Sequence, residues 1–128
     1  IKAGYIGKAG TDYLVEVSSE ETVREVKPDF TLLKKLKIRA VIVTAVSSTG
    51  EYDFISRFFA PGAGVDEDPV TGSAHCVLGP FWSKKLNKNE LTGYQASARG
   101  GTVRVRAGGE RVYLSGQAVT VLKGEFLT

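Results

Sequence analysis

One long apolar stripe constrains this chain more than any other feature. From Gly72 to about Asn87, the residues Ala74, Val77, Leu78, Phe81, Trp82 and Leu86 recur at spacings of three and four, which marks one face of an α-helix. The other well-patterned stretches read as strands or short helices, so a sheet has to wrap this one helix. Pro80 falls inside the stripe, where it removes a backbone hydrogen bond and crowds the carbonyl of Cys76, and a kink is expected there.

The strands come on either side. "KAGYIGKAGTDYLVEVSS" reads as two extended stretches around a Lys-Ala-Gly turn, a hairpin. "SSEETVREVKPDFTLLKKLK" carries a Ser cap and acids in a first turn. Pro28 and Asp29 then interrupt it before a second apolar pattern at Phe30, Leu33 and Leu36, so two short helices fit. "RAVIVTAVSS" is a continuous β-branched run, the pattern of a strand buried on both faces, and "EYDFISRFFA" alternates Phe54, Ser56 and Phe58 against Ile55 and Arg57. Gly50 makes the turn between them. After Gly93, "YQASA", "TVRVRA", "RVYLS" and "AVTVLKGEF" are separated by glycines and predict an antiparallel meander. The whole reads as a single α+β domain over residues 1–128, a curved, mostly antiparallel sheet wrapped around one central helix.

Composition narrows the function classes. At 128 residues and 42% hydrophobic the chain can bury one core. Seventeen Lys and Arg against fourteen Asp and Glu leave +3, too mild to imply a nucleic-acid or membrane partner, while small anionic ligands stay compatible. A lone "RGG" at residues 99–101 is no repeat, and the alternating Arg104 and Arg106, with Lys34, Lys35, Lys37 and Arg39, read as solvated surface. One cysteine excludes an internal disulfide and offers too few thiols for a zinc cage, which favours the cytoplasm. No apolar run approaches the roughly 20 residues that span a bilayer. The chain has no methionine and opens on "IKAGYIGKAG", already strand and turn, so a piece of a longer protein is expected.

The chemistry concentrates in "DEDPVTGSAHC", residues 66–76. Backbone N–H groups at a helix start lack internal partners and point at one place, with the positive end of the helix dipole behind them. An anion fits there. Gly72 allows close approach, Thr71 and Ser73 add hydroxyls, and Asp68 lies a few residues before the cap, beside the same pocket. A carboxylate next to an anion cradle suits proton chemistry on a substrate that itself carries a carboxylate. The same residues are ordinary helix-start signals, so pattern alone leaves a structural cap and a ligand loop both open. His75 and Cys76 are adjacent on the helix and project about 100° apart, which argues against a nucleophile and base pair. Cys76 reads as a small buried residue, and His75 as a side chain touching ligand or solvent. A phosphate-binding P-loop is excluded, because no Lys follows the Gly.

The string "SRFFAPGAGVDEDPVTGSAHCVLGPFW", followed by "YQASARGG", resembles the second half of the phenazine-biosynthesis PhzF-like family, as do "PDFTLLKKL" and the Val-rich strand before "YDFISRFF". The resemblance implies a diaminopimelate-epimerase-like fold of two similar halves with the active site between them, this chain being the C-terminal half and the N-terminal half absent. It implies cofactor-independent isomerases or epimerases that move a proton on small carboxylate-bearing substrates. Asp68 then matches an active-site carboxylate, with Gly72, Ser73, Thr71 and His75 on or beside the substrate loop. The family's proton-transferring glutamate and active-site histidine match nothing here, so the isolated chain is expected to be inactive. Its expected partners are the missing half, a carboxylate-bearing metabolite and a second copy of itself. A noncatalytic ligand-binding or interaction module keeping the same fold is the alternative.

Overall fold

A computed structural model describes residues 2–128; Ile1 lies outside the described residues. Eight strands form one mixed sheet: β1 (Ala3–Ala9), β2 (Asp12–Val17), β3 (Ala40–Val46), β4 (Phe54–Ala60), β5 (Val65–Glu67), β6 (Glu90–Gln95), β7 (Gly101–Arg106) and β8 (Tyr113–Ser115). They lie in the order β1-β2-β3-β4-β6-β7-β8, with β5 paired to β4 off this path. β2 with β3 and β4 with β6 run parallel, and the other pairs are antiparallel. The fold is α+β, as the sequence indicates.

The two parallel steps decide where the helices go. The first crosses through α1 (Glu20–Glu25) and α2 (Phe30–Lys35), the second through α3 (Gly72–Leu86). β3 and β4 are antiparallel, so the two steps run in opposite directions, and right-handed crossovers must put their helices on opposite faces. The core obeys this. On one face Ala74, Leu78 and Trp82 of α3 pack with Ile42, Phe54, Phe58, Leu91, Val103 and Val105. On the other, Val23 of α1 packs with Val17, Val43, Ala45, Ile55 and Phe59, and α2 adds Phe30 and Leu33. β3 and β4 are therefore buried on both sides, which explains the unbroken β-branched run of β3. Each fully buried side chain of Phe54, Ile55 or Leu78 contributes about 1.5–3 kcal/mol of hydrophobic stabilisation.

Local signals fix the helix ends. The Ser19 hydroxyl accepts the Thr22 N–H to start α1, and the Asp29 carboxylate accepts the Leu32 N–H to start α2. α3 ends on Asn87 in the left-handed conformation, φ 53°. It runs unbroken through Pro80, which sits with Cys76 on its exposed side.

Three expectations need correction. β6 starts at Glu90, so Gly93 lies inside a strand and does not precede one. "AVTVLKGEF" forms no strand: Val119, Val121, Leu122, Phe126 and Leu127 are all at least 84% exposed, with no neighbouring strand to satisfy an extended backbone. Cys76 is exposed, not buried, because the buried face of α3 passes through Ala74, His75, Leu78, Gly79 and Trp82. Among the described residues no helix is long and apolar enough to cross a membrane.

Candidate functional site

β5 delivers the chain into Asp68, whose N–H bonds the Phe58 carbonyl of β4 at 3.0 Å and anchors the loop to the sheet. From there Pro69 and Val70 lead to Thr71, the N-cap position of α3. The Thr71 hydroxyl does not cap the helix; it donates to the Asp68 carboxylate. The first amides of α3, at Gly72 and Ser73, thus have no side-chain cap, and both residues are exposed. The Arg39 guanidinium donates to the Ser73 hydroxyl at 3.2 Å.

Arg39 is exposed, as read from the sequence, but its charge is paired. Its Nε donates to Asp12 Oδ1 at 2.8 Å, a second nitrogen donates to Asp12 Oδ2, and the group lies 5.5 Å over the Phe58 ring. The hydrogen bonds that it donates to Asp12 push its pKa up from an already high ordinary value, so its charge is permanent. The Asp12 carboxylate offsets that charge, and the α3 amides add the positive end of the helix dipole beside it.

A second layer holds Thr71. Gln95, fully buried at the end of β6, accepts the Thr71 N–H at 2.8 Å through Oε1 and donates through Nε2 to the Asp68 carbonyl at 2.8 Å and the Thr71 hydroxyl at 3.1 Å. His75 donates from Nδ1 to the Thr71 carbonyl at 2.7 Å. The expectation that His75 touches ligand or solvent therefore fails: its ring is completely buried against Phe54, with centroids 5.9 Å apart. Its Nε2 has no hydrogen-bond partner, and burial pushes its pKa down, outweighing the bond to Thr71. Spacing could have shown this, because His75 lies four residues before Gly79 and seven before Trp82, on one helix face.

An open groove of about 980 Å³ runs past the helix start, lined by Val70, Gly72, Arg99, Thr102, Arg104 and Ser115 among others. "RGG" has a structural reason there: a Cβ on Gly101 would lie 2.1 Å from Val70 Cγ2, so only glycine lets the Asp68 loop seat against β7. Gly72 has no such reason, since an added Cβ would meet nothing closer than Leu114 Cδ1 at 3.7 Å. Among the described residues no three His, Cys, Asp or Glu side chains converge as a metal site.

The family model for phenazine biosynthesis-like proteins, PhzC-PhzF, matches residues 5–124. The chain belongs to this family. Within it, the chain is 55% identical over 123 residues to an uncharacterized isomerase of Halalkalibacterium halodurans, covering 96% of this chain and 46% of the relative. It is 57% identical over 111 residues to an uncharacterized isomerase of Pseudomonas aeruginosa, covering 87% and 42%. A crystal structure of a PhzF-family phenazine biosynthesis protein from Enterococcus faecalis superimposes with a TM-score of 0.87 at 41% identity, covering 98% of this chain and 48% of that one. This PhzF-family chain therefore spans a little under half the length of these relatives.

Proposed function

We propose that this chain supplies one wall of an isomerase active site, in which a proton moves on a small carboxylate-bearing substrate without a cofactor. The observation that carries this reading is the direction of the Thr71 hydroxyl: it serves Asp68 and leaves the α3 amides at Gly72 and Ser73 for an outside acceptor. The helix start binds the substrate carboxylate, with the dipole behind it. Asp68, oriented by Thr71, takes a hydrogen bond from a polar group of the substrate and polarises it. The group that removes the proton lies in the other half of the full-length protein, since a base must reach the transferred proton within hydrogen-bond distance. The names of the Halalkalibacterium and Pseudomonas relatives support the isomerase class. On this reading the chain alone is inactive, acts in the cytoplasm as part of the longer protein, and needs that other half as its partner.

The test is solvent-deuterium incorporation into candidate carboxylate substrates, followed by NMR with the full-length protein. Asp68→Asn should lower exchange about 100-fold or more while the melting temperature stays unchanged. An Asn variant that exchanges at the parent rate would remove Asp68 from the chemistry. Carboxylate binding without exchange in the parent protein would make the domain a ligand-binding module instead.

A further inference from the structure

Gln95 lies 24 residues from Thr71 in sequence, yet three of the hydrogen bonds that shape the loop end on its amide. We infer that Gln95 is a positioning residue for the carboxylate site, acting through Thr71 on both Asp68 and the start of α3; this rests on the function proposed above. Its two ends do different work. Oε1 holds the Thr71 N–H, which fixes the Val70–Thr71 peptide that leads into the N-cap of α3. Nε2 donates to the Asp68 carbonyl and to the Thr71 oxygen. With its oxygen already accepting from Gln95, the Thr71 hydroxyl has its proton directed at the Asp68 carboxylate. The amide thus fixes the carboxylate and the helix amides relative to each other.

The site of the residue fits this assignment. Gln95 is completely buried, where an amide is tolerated only when its polar atoms are paired, and its partners all belong to the loop from Asp68 to Thr71. β6 pairs here with Ser56 of β4 and Gly101 of β7, so the amide stands on two-sided sheet support. Ser97, two residues on, adds a bond from its hydroxyl to the Pro69 carbonyl at 2.9 Å. The loop is therefore held from β6 and its continuation, and a rigid element sets the geometry of an exposed one.

The experiment measures the dissociation constant of benzoate for this chain by amide chemical-shift titration at pH 8, together with the exchange rate of the Thr71 amide. Gln95→Met keeps the shape and removes all three bonds. Gln95→Glu keeps an acceptor for the Thr71 N–H but loses the donor to the Asp68 carbonyl. Ile55→Val, in the core on the opposite face, serves as a destabilised control. Benzoate should shift the Gly72 and Ser73 amides of the parent. Both Gln95 variants should weaken binding about tenfold or more, while Ile55→Val binds like the parent. Thr71 exchange should accelerate in Gln95→Met and far less in Gln95→Glu. Parent-like affinity in both Gln95 variants overturns the assignment and leaves the carboxylate reading intact. Failure of both to fold, against a folded control, also overturns it and makes Gln95 purely structural. A parent chain whose Gly72 and Ser73 amides ignore benzoate overturns the carboxylate reading itself, and the role of Gln95 with it.

Discussion

His75 is neutral inside the fold for a reason of solvation: no partner meets its Nε2, and burial holds its pKa below the ordinary 6.5. The unfolded chain takes up that proton below about pH 6.5 and the folded chain resists it, so stability is full above that pH and falls below it. Denaturant melts should show a loss of at most about 1.4 kcal/mol between pH 7.5 and 5.5, and His75→Leu should abolish this slope. A parent slope that survives the substitution would place the titrating group elsewhere. Carboxylates do not confuse this window. Burial pushes the Glu20 carboxyl up, but bonds from Ser47, Tyr52 and the Ser48 N–H outweigh it and hold it below its ordinary 4.5; Asp53 is held low in the same way by Lys88 and Thr92. Their contribution is lost only as pH falls through the carboxylate range. Gly72 tests the loop more directly. Gly72→Ala should leave stability within about 0.5 kcal/mol, since the added methyl finds room, yet it should weaken carboxylate binding. Asp68, Thr71, Gly72 and Ser73 were legible because they adjoin one another in a peculiar motif. Gln95 was not, because its meaning depends on where β6 lies against a loop far away in sequence.

At the scale of elements, α3 meets β7 through Gly79. A Cβ there would lie 2.6 Å from Val105 Cγ1, a stiff β-branched atom in a buried strand. Helix propensity favours Ala over Gly by about 1 kcal/mol, while overpacking costs about 1–3 kcal/mol, so Gly79→Ala should be net destabilising. Adding Val105→Ala should reverse the sign of the glycine substitution, as a double-mutant cycle in urea would show; additivity would contradict the close approach. Arg57 ties α1 to β4 and β5. Its guanidinium donates to the carbonyls of Val23, Arg24 and Val26 and makes a two-point pair with Glu67, and its side chain is only 13% exposed. Arg57→Lys keeps the charge but not the fork, and should lower unfolding free energy by about 2 kcal/mol. The sequence marks Arg57 only as the polar member of an alternation. Strong local patterns were legible: the β-branched run of β3, the Ser cap of α1, the stripe of α3; Asp29 reads in the sequence only as an interruption, although it caps α2. The tail after Ser115 was over-read, because its strand-like composition needs a neighbour to become a strand.

Across the whole molecule, the sheet carries α3 on one face and the shorter helices on the other, an arrangement that follows from two right-handed crossovers run in opposite directions. Sequence periodicity shows a helix needing a sheet but not which face each helix takes, since that depends on strand direction. The exposed apolar residues of the tail, together with Tyr5 and Ile6 on edge strand β1, predict self-association of the isolated chain. Sedimentation should shift with concentration, and removing residues 117–128 should reduce the shift; a monomer at every concentration would contradict it. The measurement that bears most directly on the central claim is an amide chemical-shift map of this chain titrated with benzoate. The account predicts saturable shifts concentrated at Gly72, Ser73 and Ala74, and binding that is as tight or tighter in Asp68→Asn, where a neighbouring negative charge is gone. Shifts absent from these amides would leave "DEDPVTGSAHC" as the start of a helix and nothing more.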